Sequence, residues 1–460
     1  MFHTIYQVLE QIDTVFWGYI GFSLIMILGA YFSITTRFFQ FRAMPLIMQT
    51  LCSSIRSKSN GQVGVHPIKI LFASVGSMVG IGNLVGIITA VQLGGPGALL
   101  WIWVAALCGS LIKYSEVFLG LKHRVKNDKG GYDGGPMYFL QQAFSGWAVP
   151  TTVSVLMCVY GVEIYQFSVI ADSVSTNWLL PREGVVLVLL ALVFFAGLGG
   201  VSRVAKISTV ILPVFIVGYI SMGLWVIGHH ITELPSIIRQ VIESAFTGHA
   251  AIGGFAGSTM LLAIQHGISR AAYSGDIGIG NDSVIHSESQ TVDPAAQARL
   301  AVVGVFIDNV VCTVSVLLVL VTGVWKAAGP IAASNMVQTA LGQHFPMMDV
   351  FMPLFLLILG YSTIIAYFCV GIKCASFLSP KHGKRLYFGY AAFALPAFSY
   401  LDQSQALLLM SIAGSLLLMI NLTGIFCLRK QVFFSLQSAS SPTSVEPASK
   451  EAEISSPVII

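Results

Sequence analysis

Two glycine-rich stretches inside apolar segments hold the residues whose types and spacing best suit chemistry. The letters GIGN occur at 80–83 and again at 278–281. Glycine clusters weaken a helix, and within a membrane unwound backbone persists only where protein buries it or where it lines a cavity. The N-termini of half-helices bind anionic groups, and freed carbonyl oxygens bind cations. The pair therefore predicts a binding site near the membrane midplane, with close helix packing by small residues as the alternative.

Acidic residues within apolar stretches are the next candidates, because a charge at the bilayer centre costs at least ~2.5–3.5 kcal/mol. Asp276 lies just before the second GIGN. We predict that Asp276 binds an ammonium group or a cation, and the alternative is that it caps the following half-helix. Glu163 precedes Gln166 by three residues, so the two side chains share a helix face. A ligand role and a structural ion pair are both open for Glu163.

Other ionisable residues in apolar stretches have simpler interpretations. Lys113 and Glu116 are three residues apart near the cytoplasmic end of a span, which indicates an interfacial ion pair. Asp308 is interpreted as a helix-packing or gating acid, and His266 as a core histidine with a proton relay as the alternative. No Ser-His-Asp spacing, carboxylate pair, His/Cys cluster or phosphate-binding loop stands out. The sequence therefore predicts neither an enzyme nor a bound cofactor.

The elements that position these residues must be membrane-spanning helices. Charged residues make up 10% of the 460 positions, against about 25% in soluble domains. Hydrophobic residues reach 55% and the mean hydropathy is +0.80. The formal net charge of +4 is too small to indicate nucleic acid as a partner. The seven cysteines contain no CxxC pair, so they are interpreted as packing residues.

Apolar runs predict eleven spans, each of about 20 residues. The first extends from about Trp17 to Ile34, and the others are centred near residues 80, 107, 162, 192, 217, 268, 312, 361, 391 and 415. When the connecting segments are assigned alternately to the two sides, one side carries 18 basic residues and the other carries three. This asymmetry predicts an N-terminus outside and a C-terminus in the cytoplasm.

The two glycine-rich stretches occupy comparable places in two groups of five spans. Because five is odd, the groups must be inverted relative to each other, as in many secondary transporters. The segment 229–248 has apolar residues at helical spacing after Pro235 and predicts an amphipathic helix, either a lid or a structural cap. The predicted units are an N-terminal helix with a cytoplasmic connection at 1–62, a first repeat at 63–230, an extracellular connection at 231–256, a second repeat at 257–432 and a disordered cytoplasmic tail at 433–460.

Several segments, in the expected order, resemble the alanine or glycine:cation symporter family, which comprises sodium:alanine symporters. They lie at 76–124, 134–140, 199–214, 253–280 and 304–313. The resemblance implies an all-α membrane protein of about eleven transmembrane helices, with a five-plus-five inverted repeat of the leucine-transporter type and one extra N-terminal helix. It also implies a bacterial inner-membrane protein that imports alanine or glycine together with sodium.

The resemblance also implies site residues. The substrate set comprises Gly80, Ile81, Gly82, Asn83, Gln166, Tyr273, Asp276 and Tyr367. The cation set comprises Ser77, Asp276, Ser362 and Thr363. The chain departs from the family pattern at three kinds of position. Ile81 stands where the family has Thr, the second break reads SGDIG where the family commonly has SNEAG, and Tyr367 and Ile372 stand where it has Trp and Glu.

Together these observations predict a sodium-coupled secondary active symporter that imports alanine, glycine or a similar small neutral amino acid by alternating access. Sodium is co-transported, the surrounding partner is membrane lipid, and no nucleic acid is involved. One alternative is a proton-coupled amino-acid carrier of the same fold, with Asp276, Glu163 or His266 as the proton acceptor. The other is a channel or sensor that binds an amino acid without transporting it.

Overall fold

The structure is a computed structural model that describes residues 2–57, 63–127, 130–247, 260–326, 333–400 and 403–436. Nearly all of these residues are helical. The predicted disordered tail lies outside the described residues from 437 onward, as does the part of the extracellular connection at 248–256. The glycine-rich segment preceding the seventh predicted span, 253–259, lies outside them as well.

The N-terminal part of the chain contains the first glycine-rich stretch. A π-helical turn (Phe16–Gly21) joins the first two helices, and a 3₁₀ turn (Ile81–Asn83) separates the fifth from the sixth. The helices are α1 (Phe2–Val15), α2 (Phe22–Thr35), α3 (Phe39–Arg42), α4 (Met44–Arg56), α5 (Pro67–Met78), α6 (Gly86–Gly94) and α7 (Ala98–Lys122).

A short antiparallel hairpin, β1 (Val125–Lys126) and β2 (Tyr132–Asp133), follows α7. The next helices are α8 (Pro136–Ala143), α9 (Ala148–Tyr160), α10 (Ile164–Asn177), α11 (Arg182–Leu198), α12 (Gly200–His229) and α13 (Leu234–Thr247). The predicted amphipathic helix is confirmed in α13, whose buried face packs against the beginning of α7. There the Trp101 Nε1 donates to the Ala245 carbonyl at 3.2 Å.

The C-terminal part of the chain contains the second glycine-rich stretch, which lies between α14 and α15. Two 3₁₀ turns (Val324–Lys326 and Arg429–Gln431) follow α16 and α20. The helices are α14 (Met260–Ser274), α15 (Asn281–Ser287), α16 (Pro294–Val321), α17 (Ala333–Gly342), α18 (Met348–Leu378), α19 (Gly383–Ser399) and α20 (Gln403–Cys427).

Local sequence explains where these helices begin and which faces meet lipid. α16 begins because Asp293 accepts a hydrogen bond from the Ala295 amide at 2.9 Å and Pro294 occupies the first turn. On α12, Val210, Val214 and Val217 are each at least 66% exposed. Valines three and four residues apart form one helix face, so this apolar face is suited to lipid contact.

Among the residues that the structure describes, seven helical segments are long and apolar enough to cross a membrane, and one further pair qualifies together. The seven are Ile5–Thr35, Ala98–Lys122, Ala148–Asn177, Gly200–His229, Pro294–Val321, Met348–Leu378 and Ser404–Cys427. The pair Pro67–Met78 and Ile81–Gly94 is bent by 59° at the first GIGN. The chain is therefore a multi-pass membrane protein, and the predicted interruption of the second span is confirmed.

Helix α7 lies at the centre of the molecule, where it contacts α2, α14, α15 and α16. Every residue from Gly109 to Leu121 is buried. Glycine permits this close packing, because a Cβ at Gly120 would lie 2.8 Å from the Cβ of Ser283 on α15. Helix α7 is thus placed directly against the second glycine-rich stretch.

One ion-pair cluster joins the hairpin to the helices around it. Lys373 of α18 lies 2.5 Å from Glu288 Oε1, just after α15, and 2.8 Å from Asp133 Oδ1 of β2. The Lys373 ammonium also donates to the Tyr132 carbonyl at 2.7 Å. Lys373 therefore connects α18, the end of α15 and the hairpin at one end of the bundle.

Candidate functional site

A small cavity of about 20 Å³ lies where the first glycine-rich stretch meets α9, α10, α14 and α18. That volume holds about one water molecule, so the walls must move apart before a larger ligand binds. Its lining residues come from five separate parts of the chain: Ser77, Met78, Gly80, Gly82, Tyr160, Glu163, Gln166, Tyr273, Ser274 and Tyr367.

The structure brings together five members of the predicted substrate set around this cavity. They are Gly80, Gly82, Gln166, Tyr273 and Tyr367. The other three members, Ile81, Asn83 and Asp276, are buried nearby and do not line it. Sequence reasoning missed three lining residues, Met78, Tyr160 and Ser274, and it left the role of a fourth, Glu163, open.

Uncharged hydrogen-bonding groups hold the backbone of the first break. The Gly80 amide donates to Asn83 Oδ1 at 2.9 Å, and the Ile81 amide donates to Gln166 Oε1 at 3.4 Å. A Cβ at Gly80 would lie 2.8 Å from Thr363 Oγ1, whereas a Cβ at Gly82 would meet nothing within 4 Å. Gly80 is therefore required for close approach, and Gly82 faces the open space of the cavity.

Asn83 positions the first break through a hydrogen-bonded link to the second half of the chain. Its Nδ2 donates to Asp308 Oδ1 at 2.6 Å, and Ser274 Oγ donates to the same oxygen at 3.0 Å. Ser274 ends α14 immediately before the second break. Asp308, which the sequence suggests as a packing or gating acid, thus joins the two breaks through one carboxylate.

A third break, which the sequence analysis missed, separates α9 from α10. Glu163 lies in the left-handed backbone region with φ +54°, so the α9–α10 span is interrupted immediately before α10. Gln166 Nε2 donates to Glu163 Oε1 at 3.0 Å, which confirms that the two side chains are neighbours. The only local signal was Gly161 beside an acidic residue in an apolar run.

Two polar atoms of the cavity wall are buried without a hydrogen-bond partner. They are Glu163 Oε2 and the hydroxyl of Tyr273. A buried carboxylate oxygen with no partner is costly, and the cost falls when a ligand donates to it. The cavity therefore offers one acceptor and one hydroxyl group to a small polar ligand.

The second break is charged and closely packed. The ammonium of Lys113 donates to the Asp276 carbonyl and lies 2.8 Å from Asp282 Oδ2 and 3.8 Å from Asp276 Oδ2. All three side chains are fully buried. Asp276 itself has φ +48°, so the backbone turns at the residue that Lys113 holds.

The interpretation of Lys113 and Glu116 as an interfacial ion pair is wrong. Helix α7 continues to Lys122, so both side chains lie well inside it and both are completely buried. Glu116 accepts instead from the Ser283 amide and from Asn421 Nδ2, each at 3.3 Å. Ser283 lies in the first turn of α15, where a carboxylate is favoured by the helix dipole.

The predicted cation set separates into two places. Thr363 Oγ1 and Ser362 Oγ donate to the Gly76 carbonyl of α5, at 2.9 and 3.4 Å. Hard cations bind oxygen ligands, and these two hydroxyls and the carbonyl form such a group. Ser77 points elsewhere, because its hydroxyl donates to the Ser74 carbonyl at 2.7 Å and to Asp282 Oδ1 at 3.3 Å. In the described part of the chain, no group of three or more His, Cys, Asp or Glu side chains could hold a metal ion.

Two proteins similar to this chain are described as sodium-coupled symporters. A sodium/alanine symporter, AgcS, from Methanococcus maripaludis is 28% identical over 404 residues, which cover 85% of this chain and 87% of that protein. A Bacillus subtilis protein described as "Probable sodium/glutamine symporter GlnT" is 27% identical over 449 residues, covering 94% of this chain and 91% of that protein.

A solved structure shares the fold. The manganese transporter of Eremococcus coleocola, in complex with an aromatic bis-isothiourea substituted compound, matches with a TM-score of 0.50 and 15% identity. The match covers 76% of this chain and 75% of that chain. The model of the sodium:alanine symporter family matches residues 2–448, nearly the whole sequence. This chain therefore belongs to the sodium:alanine symporter family, which is a family of transporters.

Proposed function

We propose that this protein is a sodium-coupled symporter that imports a small neutral amino acid, such as alanine or glycine, by alternating access. The observation that carries the proposal is the small cavity between three helix breaks, in a chain of this family, with the Glu163 carboxylate and the backbone of the first break in its wall. Broken helices near the midplane form the substrate sites of many secondary transporters.

The cavity wall suits the two charged ends of an amino acid. The unpartnered Glu163 Oε2 is suited to accept hydrogen bonds from the substrate ammonium. The substrate carboxylate is placed at the backbone of residues 80–82, where the long bond from the Ile81 amide to Gln166 is easily exchanged. Tyr160, Tyr273 and Tyr367 limit the space left for a side chain.

Asp276 has a different place in this proposal from the one that the sequence predicts. Its carbonyl and carboxylate face Lys113, and it lies outside the cavity lining. The ammonium of the substrate is therefore assigned to Glu163, and Asp276 is assigned to holding the second break. Ile81 and Asn83 serve the site through their backbone and hydrogen bonds, since their side chains pack away from it.

Sodium is assigned to the oxygen group formed by Thr363, Ser362 and the Gly76 carbonyl. This group lies next to the substrate cavity, because Thr363 Oγ1 would be only 2.8 Å from a Cβ at Gly80. An ion on one side of Gly80 would fix the backbone that the substrate contacts on the other side. This shared residue is a direct physical route for coupling the two binding events.

The architecture proposed for this function has eleven spans. Eight described segments are long and apolar enough to cross a membrane when the bent pair counts as one. The three further spans that we propose are α11 and α19, each of 17 residues, and the α14–α15 segment. We propose an extra N-terminal helix followed by five-plus-five inverted repeats at 63–230 and 257–432, and an N-terminus outside a bacterial inner membrane. The asymmetric distribution of basic residues supports this orientation.

Proton coupling is the second candidate, and Glu163 favours it. A buried carboxylate in the cavity wall with one free oxygen can carry a proton as well as bind an ammonium group. His266 is only half-buried and does not line the cavity, which makes it a poorer proton acceptor for this role. The test includes substrates larger than alanine, because one relative is described as a probable sodium/glutamine symporter.

The experiment is uptake of radiolabelled glycine, alanine, serine and glutamine into proteoliposomes. Each amino acid is offered under an inward sodium gradient, an inward proton gradient, both, or neither, with protein-free liposomes as the control. Concentrative uptake that requires sodium supports the proposal. Uptake driven by protons alone supports the second candidate, and binding without uptake in folded protein contradicts both.

A further inference from the structure

Helix α4, with the short helix α3 before it, takes no part in the substrate cavity and has an apolar face that is exposed. Phe41 on α3 and Met48 and Ile55 on α4 are each at least 43% exposed. Pro45 and Cys52 lie between them and are exposed as well. Spacings of three and four residues place these five side chains on one side of the helix, and we call them the α4 stripe. An exposed apolar surface of this kind indicates a binding surface.

The other two faces of α4 differ from the stripe. Thr50 is buried against α16, where Arg299 Nε donates to its hydroxyl at 3.0 Å. Arg42, Gln49 and Arg56 follow one another at intervals of seven residues, which is about two helical turns, and all three are exposed. The helix therefore has one face packed on the protein, one apolar face and one polar, basic face.

The preceding helix brings the stripe to the edge of the membrane. The first candidate span, Ile5–Thr35, ends just before α3. Near its end Ile27 and Ile34 are exposed on the same helix face, which is suited to lipid contact. Arg37 and Phe38 then have positive φ angles, +55° and +57°, so the chain changes direction where the span ends. The stripe therefore begins at the level where the chain leaves the apolar part of the membrane.

Contacts with the core fix this change of direction. Gln40 Nε2 donates to Ser33 Oγ of α2 at 3.0 Å. The ring of Phe39 is buried, and its centroid lies 5.4 Å from that of Tyr114 on α7. Because α3 is held at these points and α4 is held at α16, the position of the stripe relative to the span is set by the fold.

The charge of this region has one sign. The sequence has no Asp or Glu between Asp13 and Glu116. Arg37, Arg42 and Arg56 are exposed, and among the described residues none of the three forms an ion pair with an acidic side chain. A guanidinium group can bind a phosphate group through two parallel hydrogen bonds. The surface is therefore complementary in charge to the phosphate of a phospholipid headgroup.

We propose that α4 lies in the membrane interface, with the α4 stripe among the acyl chains and with Arg37, Arg42 and Arg56 bound to headgroups of anionic phospholipids. Helices with one apolar face and basic residues beside it lie in the plane of the interface, with the apolar face buried by about 5–10 Å. Basic residues next to a span attract anionic lipids in the same way.

Charge favours lipid over a second copy of this chain as the partner of the stripe. A symmetric pair of copies would bring the same surface patch of each together. The three arginines of each copy would then lie near those of the other, and the sequence around them offers no acidic residue to neutralise them. Anionic headgroups supply the missing negative charge.

The first experiment measures where the stripe lies. Full-length Cys427→Ser protein is labelled with a nitroxide at Cys52 and reconstituted into phosphatidylglycerol vesicles. The matched control is Cys52→Ser/Ser53→Cys/Cys427→Ser, because Ser53 is exposed beside the basic face. Cys52→Ser/Cys427→Ser measures any label taken up elsewhere. We expect oxygen, which concentrates in lipid, to relax the label at Cys52 more than a water-soluble nickel complex does, and the reverse in the matched control.

Either of two results would overturn this placement. Stronger relaxation of the Cys52 label by the nickel complex would mean that the stripe is in water. A Cys52 label shielded from both reagents would mean that protein, such as a second copy, covers the stripe. The expected contrast between neighbouring residues supports an interface that runs along the helix.

The second experiment measures the headgroup preference. Full-length protein in detergent is titrated separately with phosphatidylglycerol and with phosphatidylcholine, and native mass spectrometry counts the lipids bound. We expect the unchanged protein to prefer phosphatidylglycerol. Arg42→Gln/Arg56→Gln should lower that preference by at least about fivefold, the effect of losing one basic residue near a headgroup. Arg42→Lys/Arg56→Lys keeps both charges, is the matched control and should keep most of the preference.

The headgroup assignment is overturned if the unchanged protein has no preference or if Arg42→Gln/Arg56→Gln keeps it. It is also overturned if the two double variants lose the preference equally, because charge would then not be its cause. Equal melting temperatures exclude unfolding as the reason for lost binding, and Arg42→Gln alone replaces the pair if the pair melts earlier. Neither experiment depends on transport, so both remain decisive if no amino acid is taken up.

Discussion

The two stretches that share the letters GIGN are held by different kinds of interaction. At the first, the backbone amides of Gly80 and Ile81 donate to the side-chain amides of Asn83 and Gln166, and Gly82 faces open space. At the second, the backbone before residue 278 turns at Asp276, and a fully buried Lys113 ammonium holds it. The first break is open on one side, whereas the second is closed on all sides.

The glycines differ in the same way. Gly278 and Gly280 of the second stretch have positive φ angles, +76° and +108°, which favour glycine. A Cβ at Gly278 would also lie 2.6 Å from Leu422 Cδ2. Identical letters therefore serve backbone access to a cavity in one place and dense packing around a buried charge in the other. The lesson is that a repeated motif identified both helix interruptions and did not identify their functions.

The largest expected effect tests the charged break. Lys113→Met leaves Asp276 and Asp282 without their buried counter-charge, which we expect to lower the free energy of unfolding by about 3–5 kcal/mol. Thermal unfolding in detergent, followed by tryptophan fluorescence, measures the change. Lys122→Met, at the exposed end of the same helix, is the control and should melt as the unchanged protein does.

A double variant sharpens this result. Asp282→Asn in the Lys113→Met background removes one of the stranded carboxylates, so the two changes together should cost less than the sum of their separate costs. Strict additivity, or a melting temperature of Lys113→Met within about 2 °C of the unchanged protein, would mean that the ammonium does not hold the second break.

The next prediction asks which acid serves the substrate. Glu163→Gln removes the carboxylate of the cavity wall and should weaken uptake by about 10- to 100-fold, the range expected when a charge-assisted hydrogen bond is lost. Asp276→Asn should lower the melting temperature, and it should weaken the apparent substrate affinity less than Glu163→Gln does. Initial rates of uptake against substrate concentration measure both variants, and Glu183→Gln, at the exposed start of α11, is the matched control.

The opposite ranking would restore the role that the sequence assigns to Asp276. If Asp276→Asn abolishes substrate binding in protein that melts normally, while Glu163→Gln transports well, then the ammonium is bound at the second break. The Glu163 hydrogen bond to Gln166 would in that case be only a structural contact of α10.

Several features of the fold and site could be predicted because they depend on local composition. Apolar runs and glycine clusters gave the bent second span, and the spacing of Glu163 and Gln166 gave their contact. The resemblance to the family put Ser362 and Thr363 in one cation set, and both hydroxyls donate to the Gly76 carbonyl. All of these depend on patterns within one segment or on a recognised motif.

The missed features depend on contacts between distant segments. Asp282 was not singled out because it sits in a seven-residue helix, and its partner Lys113 lies more than 160 residues earlier in the chain. Glu163 was placed inside a continuous helix, because a single residue in the left-handed region leaves the apolar pattern unchanged. No spacing rule within one helix could indicate either arrangement.

A smaller effect distinguishes the two glycines of the first break. Gly80→Ala places a methyl group 2.8 Å from Thr363 Oγ1 and 2.9 Å from Gln166 Oε1, so it should reduce uptake of every substrate by about tenfold or more. Gly82→Ala meets no atom within 4 Å and extends into the cavity instead. It should spare glycine uptake and reduce alanine uptake, since one methylene is worth about 1–3 kcal/mol in a pocket.

Competition of unlabelled glycine and alanine against labelled alanine measures this difference. The two variants are matched in chemistry and lie two residues apart, so equal effects on glycine and alanine in both would contradict the open face of the first break. A folded Gly80→Ala protein with normal uptake would show that Thr363 and Gln166 move freely, and that the close approach at Gly80 has no part in the site.

The smallest effect concerns the two groups of hydroxyls that the sequence placed in one cation set. Thr363→Val keeps the side-chain shape and removes the hydroxyl beside the Gly76 carbonyl, so half-maximal uptake should need about tenfold more sodium. Ser77→Ala removes a hydroxyl that faces Ser74 and Asp282, and it should change the sodium requirement less than about twofold. Sodium titrations of alanine uptake measure both. An equal rise in the sodium requirement of the two variants would mean that the ion contacts both groups of hydroxyls. The contrast between the open first break and the closed second break would then not apply to the cation site.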